Sequence, residues 1–351
     1  MTLVEFVPPT PHPLWKLCLQ MGISDVIVKV NPDLTGLPDP WRYETLASIV
    51  SRLKSAGLNV VGLEGDPFDM TPIKEYAAQE DFSRKERKDR KDLCGSASLR
   101  ETALAHYREL LESMGRLGIK LLCYNFMVGK GWSRTGVREG RGGAKATYFS
   151  LLQSNAADSN RRHSTADLAI SHDQVWSNYE YFIKAVMPTA EECGVRMALH
   201  PDDPCLDSLG GYARIFGSIE AYDRAYGIFP SPANAVTFCQ ANFKLMLANG
   251  VTLADAARHF GKRIAFIHVR DVEGDKTDFT ELFHDQGTTD QFALMRIYRE
   301  LDLDVPVRGD HVPEMAYDRV LTPEGTPGYF TLGRLFANGY LKALMKGTSN
   351  A

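Results

Sequence analysis

The chain has 351 residues, of which 44% are hydrophobic and 24% are charged, and its formal net charge is −4. This composition is typical of a globular protein with a large core, and so weak a charge indicates neither a nucleic-acid partner nor an anionic membrane surface. No run approaches the ~20 apolar residues that cross a bilayer, residues 1–13 lack the pattern of a signal peptide, and the six cysteines have no framework spacing. We therefore expect a cytoplasmic protein that binds neither nucleic acid nor a membrane.

Short apolar or β-branched runs recur along the chain, and each is followed by a longer amphipathic stretch. The runs predict eight strands, at residues 3–7, 25–30, 59–64, 120–125, 196–200, 234–238, 264–268 and 305–308. The amphipathic stretches predict helices, which include residues 43–56, 99–117, 173–193, 253–260, 289–301 and 332–345. Repeated strand–helix alternation indicates parallel strands with right-handed crossovers, and eight such units favour closure into a (β/α)₈ TIM barrel.

Two polar segments interrupt this alternation. Residues 66–97 follow the third predicted strand, and residues 128–171, with six glycines, follow the fourth. Loops of this length in a compact domain usually have a function. Because both follow strands, we expect them at the catalytic end of the barrel. We interpret them as lids or partner-contact arms of a single TIM-barrel domain that spans residues 1–351.

Ligand-type side chains close the last four predicted strands. Where each apolar run gives way to polar residues, the sequence places His200, Cys239, His268 and Asp310. In a barrel these strand ends converge on one mouth, and two imidazoles, a thiolate and a carboxylate can bind a divalent ion such as Fe²⁺, Zn²⁺, Co²⁺ or Mn²⁺. A lone strand-end histidine is more often structural, and a lone cysteine is more often core filler. Four ligand-type residues, each at the carboxyl end of one of four consecutive predicted strands, favour a metal site.

Other polar residues follow the predicted ligands along the chain. They are Asp202, Asp203, Arg270 and Asp271. These side chains either orient the ligands and bind substrate hydroxyls, or they cap loops and form surface pairs. His284, in the loop after the seventh strand, either reaches the mouth or caps a turn.

Several motifs along the whole chain resemble those of the mannonate dehydratases. These enzymes are metal-dependent sugar-acid dehydratases of the xylose-isomerase-like barrel superfamily. The motifs are residues 123–127 (CYNFM), 132–135 (WSRT), 200–204 (HPDDP), 267–271 (IHVRD), 283–287 (FHDQG), 306–315 (PVRGDHVPEM), 328–329 (GY) and 339–342 (GYLK). Several such motifs in order are far more specific than any one of them.

The resemblance implies roles for individual residues. It assigns the metal ligands to His200, Cys239, His268 and Asp310, the same four strand-end residues. The expected ion is Mn²⁺ or Fe²⁺. The resemblance assigns the acid–base pair to His311 and Tyr329, without saying which is the acid. We expect the substrate contacts among Asn125, Arg134, Asp202, Arg270 and Arg308.

The reaction that the resemblance implies is β-elimination of water from an acyclic sugar acid. The substrate would be D-mannonate or a related aldonate, and the product a 2-keto-3-deoxy acid. The resemblance also implies a homo-oligomer.

Departures from the family pattern suggest a divergent member. Phe68 lies in a segment after the third strand that usually offers a histidine, Gln240 follows Cys239 where a glycine-containing turn is usual, and Gly309 replaces a proline. Two alternatives stay open for the function. The first is a sugar isomerase or epimerase of the same superfamily, although those enzymes use more carboxylate ligands and Glu64 is the only glutamate that closes a predicted strand here. The second is a non-catalytic metal-binding homologue.

Overall fold

The structure, a computed structural model, describes residues 1–76, 97–159, 170–248, 250–323 and 325–348, without the side chains of residues 156–159. Most of the predicted excursion at 66–97, and residues 160–169 of the one at 128–171, therefore lie outside the described residues. Among the described helices, none has both the length and the apolar character that a transmembrane span requires.

The predicted strands form a parallel barrel with an additional small sheet at one end. In chain order, the described strands are β1 (Thr2–Leu3), β2 (Glu5–Val7), β3 (Asp25–Val28), β4 (Asn59–Glu64), β5 (Leu121–Tyr124), β6 (Gly136–Glu139), β7 (Lys145–Ser150), β8 (Arg196–Leu199), β9 (Ser208–Leu209), β10 (Tyr212–Ala213), β11 (Asn234–Cys239), β12 (Ile264–Val269), β13 (Val272–Asp275), β14 (Asp278–Glu281) and β15 (Pro306–Gly309).

Nine of these segments build the barrel, in the order β1-β15-β12-β11-β8-β5-β4-β3-β2. Both β1 and β2 come from the first predicted strand, which is interrupted at Val4. One half pairs with β15 and the other with β3, all in parallel, and the Val4 amide donates to the Val307 carbonyl at 2.9 Å. The interrupted strand therefore closes the barrel, and the prediction of a TIM barrel is confirmed.

The predicted helices are present, with their ends shifted by at most two residues. Helices of eight or more residues run over Pro13–Gln20, Tyr43–Ser55, Ala97–Leu117, Leu151–Ser159, His172–Glu192, Ile219–Ile228, Leu253–Phe260, Gln291–Glu300 and Thr331–Gly347; shorter ones run over Pro32–Thr35, Thr71–Lys74, Gln240–Met246 and Asp318–Leu321. Local capping sets several starts. The Ser218 hydroxyl accepts from the Ala221 amide, and Thr252 with Asp255 forms a capping box.

Small and branched side chains fill the interior of the barrel. Val4, Ile27, Ala198, Ala235 and Ala265 belong to a buried inner cluster, which also contains Leu121, Cys123 and Phe266. A larger apolar layer joins the outer faces of the strands to the helices. This core fixes the positions of the strand ends, and therefore also the positions of the side chains at those ends.

The second excursion contains a β-hairpin. Strands β6 and β7 pair antiparallel, and β7 pairs with β14 of a second hairpin, β13–β14, which follows the barrel strand β12. Together they form a four-stranded sheet. Because one hairpin follows β5 and the other follows β12, the sheet lies at the carboxyl end of the barrel, where the described part of the second excursion was expected.

Candidate metal centre and catalytic site

The four predicted ligands meet at the carboxyl end of the barrel. His200 follows β8 directly, Cys239 ends β11, His268 lies near the end of β12, and Asp310 follows β15. One ligand-type atom from each lies within 4.8 Å of the others. Parallel strands that end at one rim bring these residues together, so the four side chains form a cluster that could hold a metal ion.

The state of the two imidazoles fits a divalent cation. His268 is 1% exposed, and among the described residues neither of its ring nitrogens has a hydrogen-bond partner. A buried polar group left in this state costs roughly 1–3 kcal/mol. His200 directs Nδ1 at the Pro201 carbonyl, 2.7 Å away; because a carbonyl only accepts, Nδ1 is the donor and Nε2 keeps a free lone pair. A bound cation would accept the free lone pair of one nitrogen from each ring.

His311 and Tyr329 lie beside this cluster. The Nε2 atom of His311 is 3.0 Å from the Tyr329 hydroxyl, and that hydroxyl is 3.3 Å from Asp310 Oδ1, so its one proton can be donated to either neighbour. Burial, followed by the negative charge of Asp310, raises the pKa of Tyr329 well above its usual value, so the phenol is protonated near neutral pH. His311 has a φ of +35°, a backbone conformation that a non-glycine residue adopts only when its surroundings enforce it.

Glu281 is a functional candidate that the sequence did not indicate. It ends β14, is 1% exposed, and places Oε1 at 3.1 Å from His311 Nδ1. Burial opposes its ionisation, but the charges of Arg270 and Arg134 outweigh that effect and lower the pKa of Glu281. No local motif marks this residue, because it is brought to the site by a hairpin inserted after the seventh barrel strand.

The predicted substrate contacts separate into two groups. Asn125 and Arg308 line a cavity of about 120 Å³ together with His200, His268, Asp310, His311, Tyr329, Glu64 and Trp132, among others. A larger groove, about 860 Å³, lies among residues that precede or begin β8, β11 and β12. It is therefore at the opposite end of the barrel, and none of the predicted site residues lines it.

Arg134, Asp202 and Arg270 do not line the cavity. Arg134 and Arg270 both donate to Asp203 and Glu281, at 2.6–3.0 Å. Asp202 accepts from the Phe216 amide at 2.8 Å. Their substrate contacts stay a prediction, and in this structure their donors and acceptors are committed to ion pairs and hydrogen bonds that hold the rim loops together.

Asn125 presents a defined hydrogen-bonding group to the cavity. Its side-chain oxygen accepts from Lys74 Nζ at 3.0 Å and from the Met127 amide at 3.1 Å. Both partners are donors, so they fix the orientation of the side-chain amide. Among the described residues the NH₂ group has no acceptor, so it can donate to a ligand.

A closed parallel barrel with ligand-type residues at its carboxyl rim belongs to the class of TIM barrels, whose active sites lie at that rim. The fold is similar to that of a xylose isomerase domain protein from Planctomyces limnophilus (TM-score 0.56, 12% identity, covering 100% of this chain and 99% of that one). It is more similar to a mannonate dehydratase from Streptococcus suis serotype 2 (TM-score 0.82, 24% identity, covering 100% and 95%).

The profile of the D-mannonate dehydratase (UxuA) family matches residues 85–165 and 152–351, and the chain belongs to this family. A mannonate dehydratase from Streptococcus equi subsp. zooepidemicus is 27% identical over 348 residues, which cover 93% of this chain and 89% of that protein. The resemblance inferred from the motifs is thereby confirmed. The protein is a hydro-lyase of the sugar-acid dehydratase type.

Proposed function

We propose that the protein is a metal-dependent dehydratase that converts D-mannonate, or a closely related aldonate, to a 2-keto-3-deoxy acid. The observation that carries the proposal is that one cavity is lined by the His311–Tyr329 pair and by His200, His268 and Asp310, which form a ligand-type cluster with Cys239. A cation held by the four residues, with Mn²⁺ or Fe²⁺ as the expected ion, would supply positive charge against the substrate carboxylate, where negative charge develops when C2 loses its proton.

We assign the base to His311. Glu281 Oε1 is nearer to Nδ1, at 3.1 Å, than Arg134 Nη2, at 3.4 Å. We therefore propose that Nδ1 donates to the Glu281 carboxylate, which leaves the lone pair on Nε2, toward the cavity. An imidazole in this tautomer can accept the C2 proton near neutral pH.

We assign the acid to Tyr329. Its buried phenol stays protonated, so it can donate to the hydroxyl that leaves C3. The C2–H and C3–O bonds break, water departs, and the resulting enol rearranges to the 2-keto-3-deoxy acid. Each proton transfer contributes typically about 10²–10⁴-fold to the rate.

Incubation of the purified protein, supplied with Mn²⁺ or Fe²⁺, with D-mannonate and related aldonates tests this proposal. Release of a 2-keto-3-deoxy acid is expected. Interconversion of aldoses and ketoses instead would favour the isomerase or epimerase alternative, and bound metal without turnover of any sugar acid would favour a non-catalytic homologue. The homo-oligomer and the cytoplasmic location stay predictions.

Replacement of Glu281 by glutamine is expected to lower kcat by about 10²-fold, because the neutral amide no longer selects the tautomer that leaves Nε2 free to accept a proton. Steady-state kinetics together with metal analysis measures this. Metal content should not change, because Glu281 is not in the ligand cluster. A kcat equal to that of the wild type would remove Glu281 from the mechanism.

Replacement of Asn125 by alanine is expected to raise KM for D-mannonate by roughly 5-fold, since about 1 kcal/mol is lost when one hydrogen bond to the substrate is removed. Asn59→Ala is the control, because Asn59 begins β4 at the far end of the barrel, where its side chain contacts Asp25. An equal KM for Asn125→Ala and Asn59→Ala would contradict the assignment.

A further inference from the structure

We propose that Glu64 is a positioning residue for His268, with its carboxylate held in place by Arg308. Glu64 would orient the imidazole so that Nδ1 faces the ligand cluster and Nε2–H faces Glu64. The inference rests on the metal site of the proposed function, and it assigns Glu64 and Arg308 to the support of that site.

The imidazole of His268 lies between two carboxylates. Its Nδ1 atom is 3.7 Å from Asp310 Oδ2, and its Nε2 atom is 3.7 Å from Glu64 Oε2. Glu64 ends β4, and β4 is not a neighbour of β12 in the sheet, so this approach spans the barrel. A movement of about 1 Å brings Nε2–H to hydrogen-bond distance of Glu64.

Arg308 holds both carboxylates at once. Its Nη2 and Nε atoms donate to the two oxygens of Glu64, at 2.6 and 3.1 Å, and its Nη1 atom donates to Asp310 Oδ1 at 2.9 Å. The side chain of Arg308 is 2% exposed. The Arg308 guanidinium therefore fixes both Glu64, which faces Nε2 of His268, and Asp310, which faces Nδ1 of the same ring. Because these donors are committed, Arg308 is better placed to support the ligands than to bind a substrate.

A second metal ion between Glu64, Cys123 and His268 is a competing explanation, since these three residues also lie close together. The contacts oppose it. Both oxygens of Glu64 accept from the Arg308 guanidinium, whereas Oδ2 of Asp310 has no hydrogen bond from Arg308. The Thr237 hydroxyl already donates to Cys123 Sγ at 3.2 Å. Both oxygens of Glu64 are thus occupied by Arg308, and Oε2 also faces the Nε2 atom of His268.

A carboxylate behind a ligating imidazole fixes its tautomer and raises its basicity, and losing such a partner typically weakens metal affinity by about 10–100-fold. We therefore expect Glu64→Gln and Glu64→Ala to raise the Kd for Mn²⁺ by about 10–100-fold, measured by equilibrium dialysis on metal-depleted protein.

Glu5→Gln is the matched control. Glu5 lies in β2, is buried, and pairs with Arg334, so this variant also removes a buried Glu–Arg pair from a barrel strand. It should retain the wild-type Kd. An unchanged Kd in the Glu64 variants, or an equal loss in Glu5→Gln, would overturn the inference.

The spectrum of Co²⁺-substituted protein gives a second readout, which needs only the folded fraction of each variant. A change in the visible bands is expected in Glu64→Gln and not in Glu5→Gln, because only the first alters the environment of a ligand. Identical spectra in both variants would overturn the role of Glu64.

If wild-type protein binds Mn²⁺ and dehydrates D-mannonate while the Glu64 variants bind Mn²⁺ equally well, only this inference fails. If wild-type protein binds no divalent ion, the metal site of the proposed function fails as well.

Discussion

His311→Ala is expected to lose turnover of D-mannonate, with kcat reduced by at least about 10³-fold, while the bound metal is retained. The variant removes the proposed base together with its contacts to Glu281 and Tyr329, and general-base catalysis alone contributes about 10²–10⁴-fold. None of the ligand-type atoms of the cluster comes from His311. Release of the 2-keto-3-deoxy acid and metal content per chain measure the two effects.

His311→Asn separates the loss of the imidazole from a change in the backbone. Asparagine tolerates positive φ better than alanine does, so an equal loss of kcat in both variants assigns the effect to the ring. His259→Ala is the control, since His259 is a partly exposed histidine that pairs with Asp223 away from the site, and wild-type activity is expected. Substantial turnover by His311→Ala would exclude His311 as the base.

Cys239→Ser has the second large expected effect, which is loss of the metal. Serine keeps the size of the side chain but replaces the soft thiolate with a hydroxyl, a far weaker ligand for Fe²⁺ or Zn²⁺. Metal stoichiometry after dialysis should fall, and the Kd for the metal should rise by more than the about 10–100-fold expected for an orienting residue. Activity should fall with metal content.

Cys18→Ser is the matched control for that prediction. Cys18 is a buried cysteine in the helix Pro13–Gln20, and it does not belong to the cluster. The Cys18 variant should retain wild-type metal stoichiometry. If the metal content of Cys239→Ser equals that of the wild type, the assignment of Cys239 as a ligand is contradicted, whatever the activity of the variant.

Two departures from the family pattern lie outside the cavity. Phe68 packs edge-on against Trp41, with ring centroids 5.2 Å apart, and Gln240 donates to the Tyr298 hydroxyl at 3.1 Å. Neither residue lines the cavity. In this structure both side chains therefore contribute to the packing around the site, and neither contributes to the lining of the cavity.

The ligand cluster could be predicted from the sequence because it depends on local patterns. The switch from apolar to ligand-type residues locates each strand end, and the repeated strand–helix alternation implies that the ends share one rim. His200, Cys239, His268 and Asp310 therefore had to be close together once the barrel was recognised. The same reasoning could not find Glu281, whose strand belongs to a hairpin outside the repeat.

What the sequence by itself determined is the barrel, the four converging strand ends and the family, because periodicity and motifs are properties of neighbouring residues. Only the tertiary structure decided the partners of the charged groups. Arg134 and Arg270 were expected at the substrate, yet both pair with Asp203 and Glu281. Such pairs join distant parts of the chain, and which acid a guanidinium meets depends on how the rim loops pack.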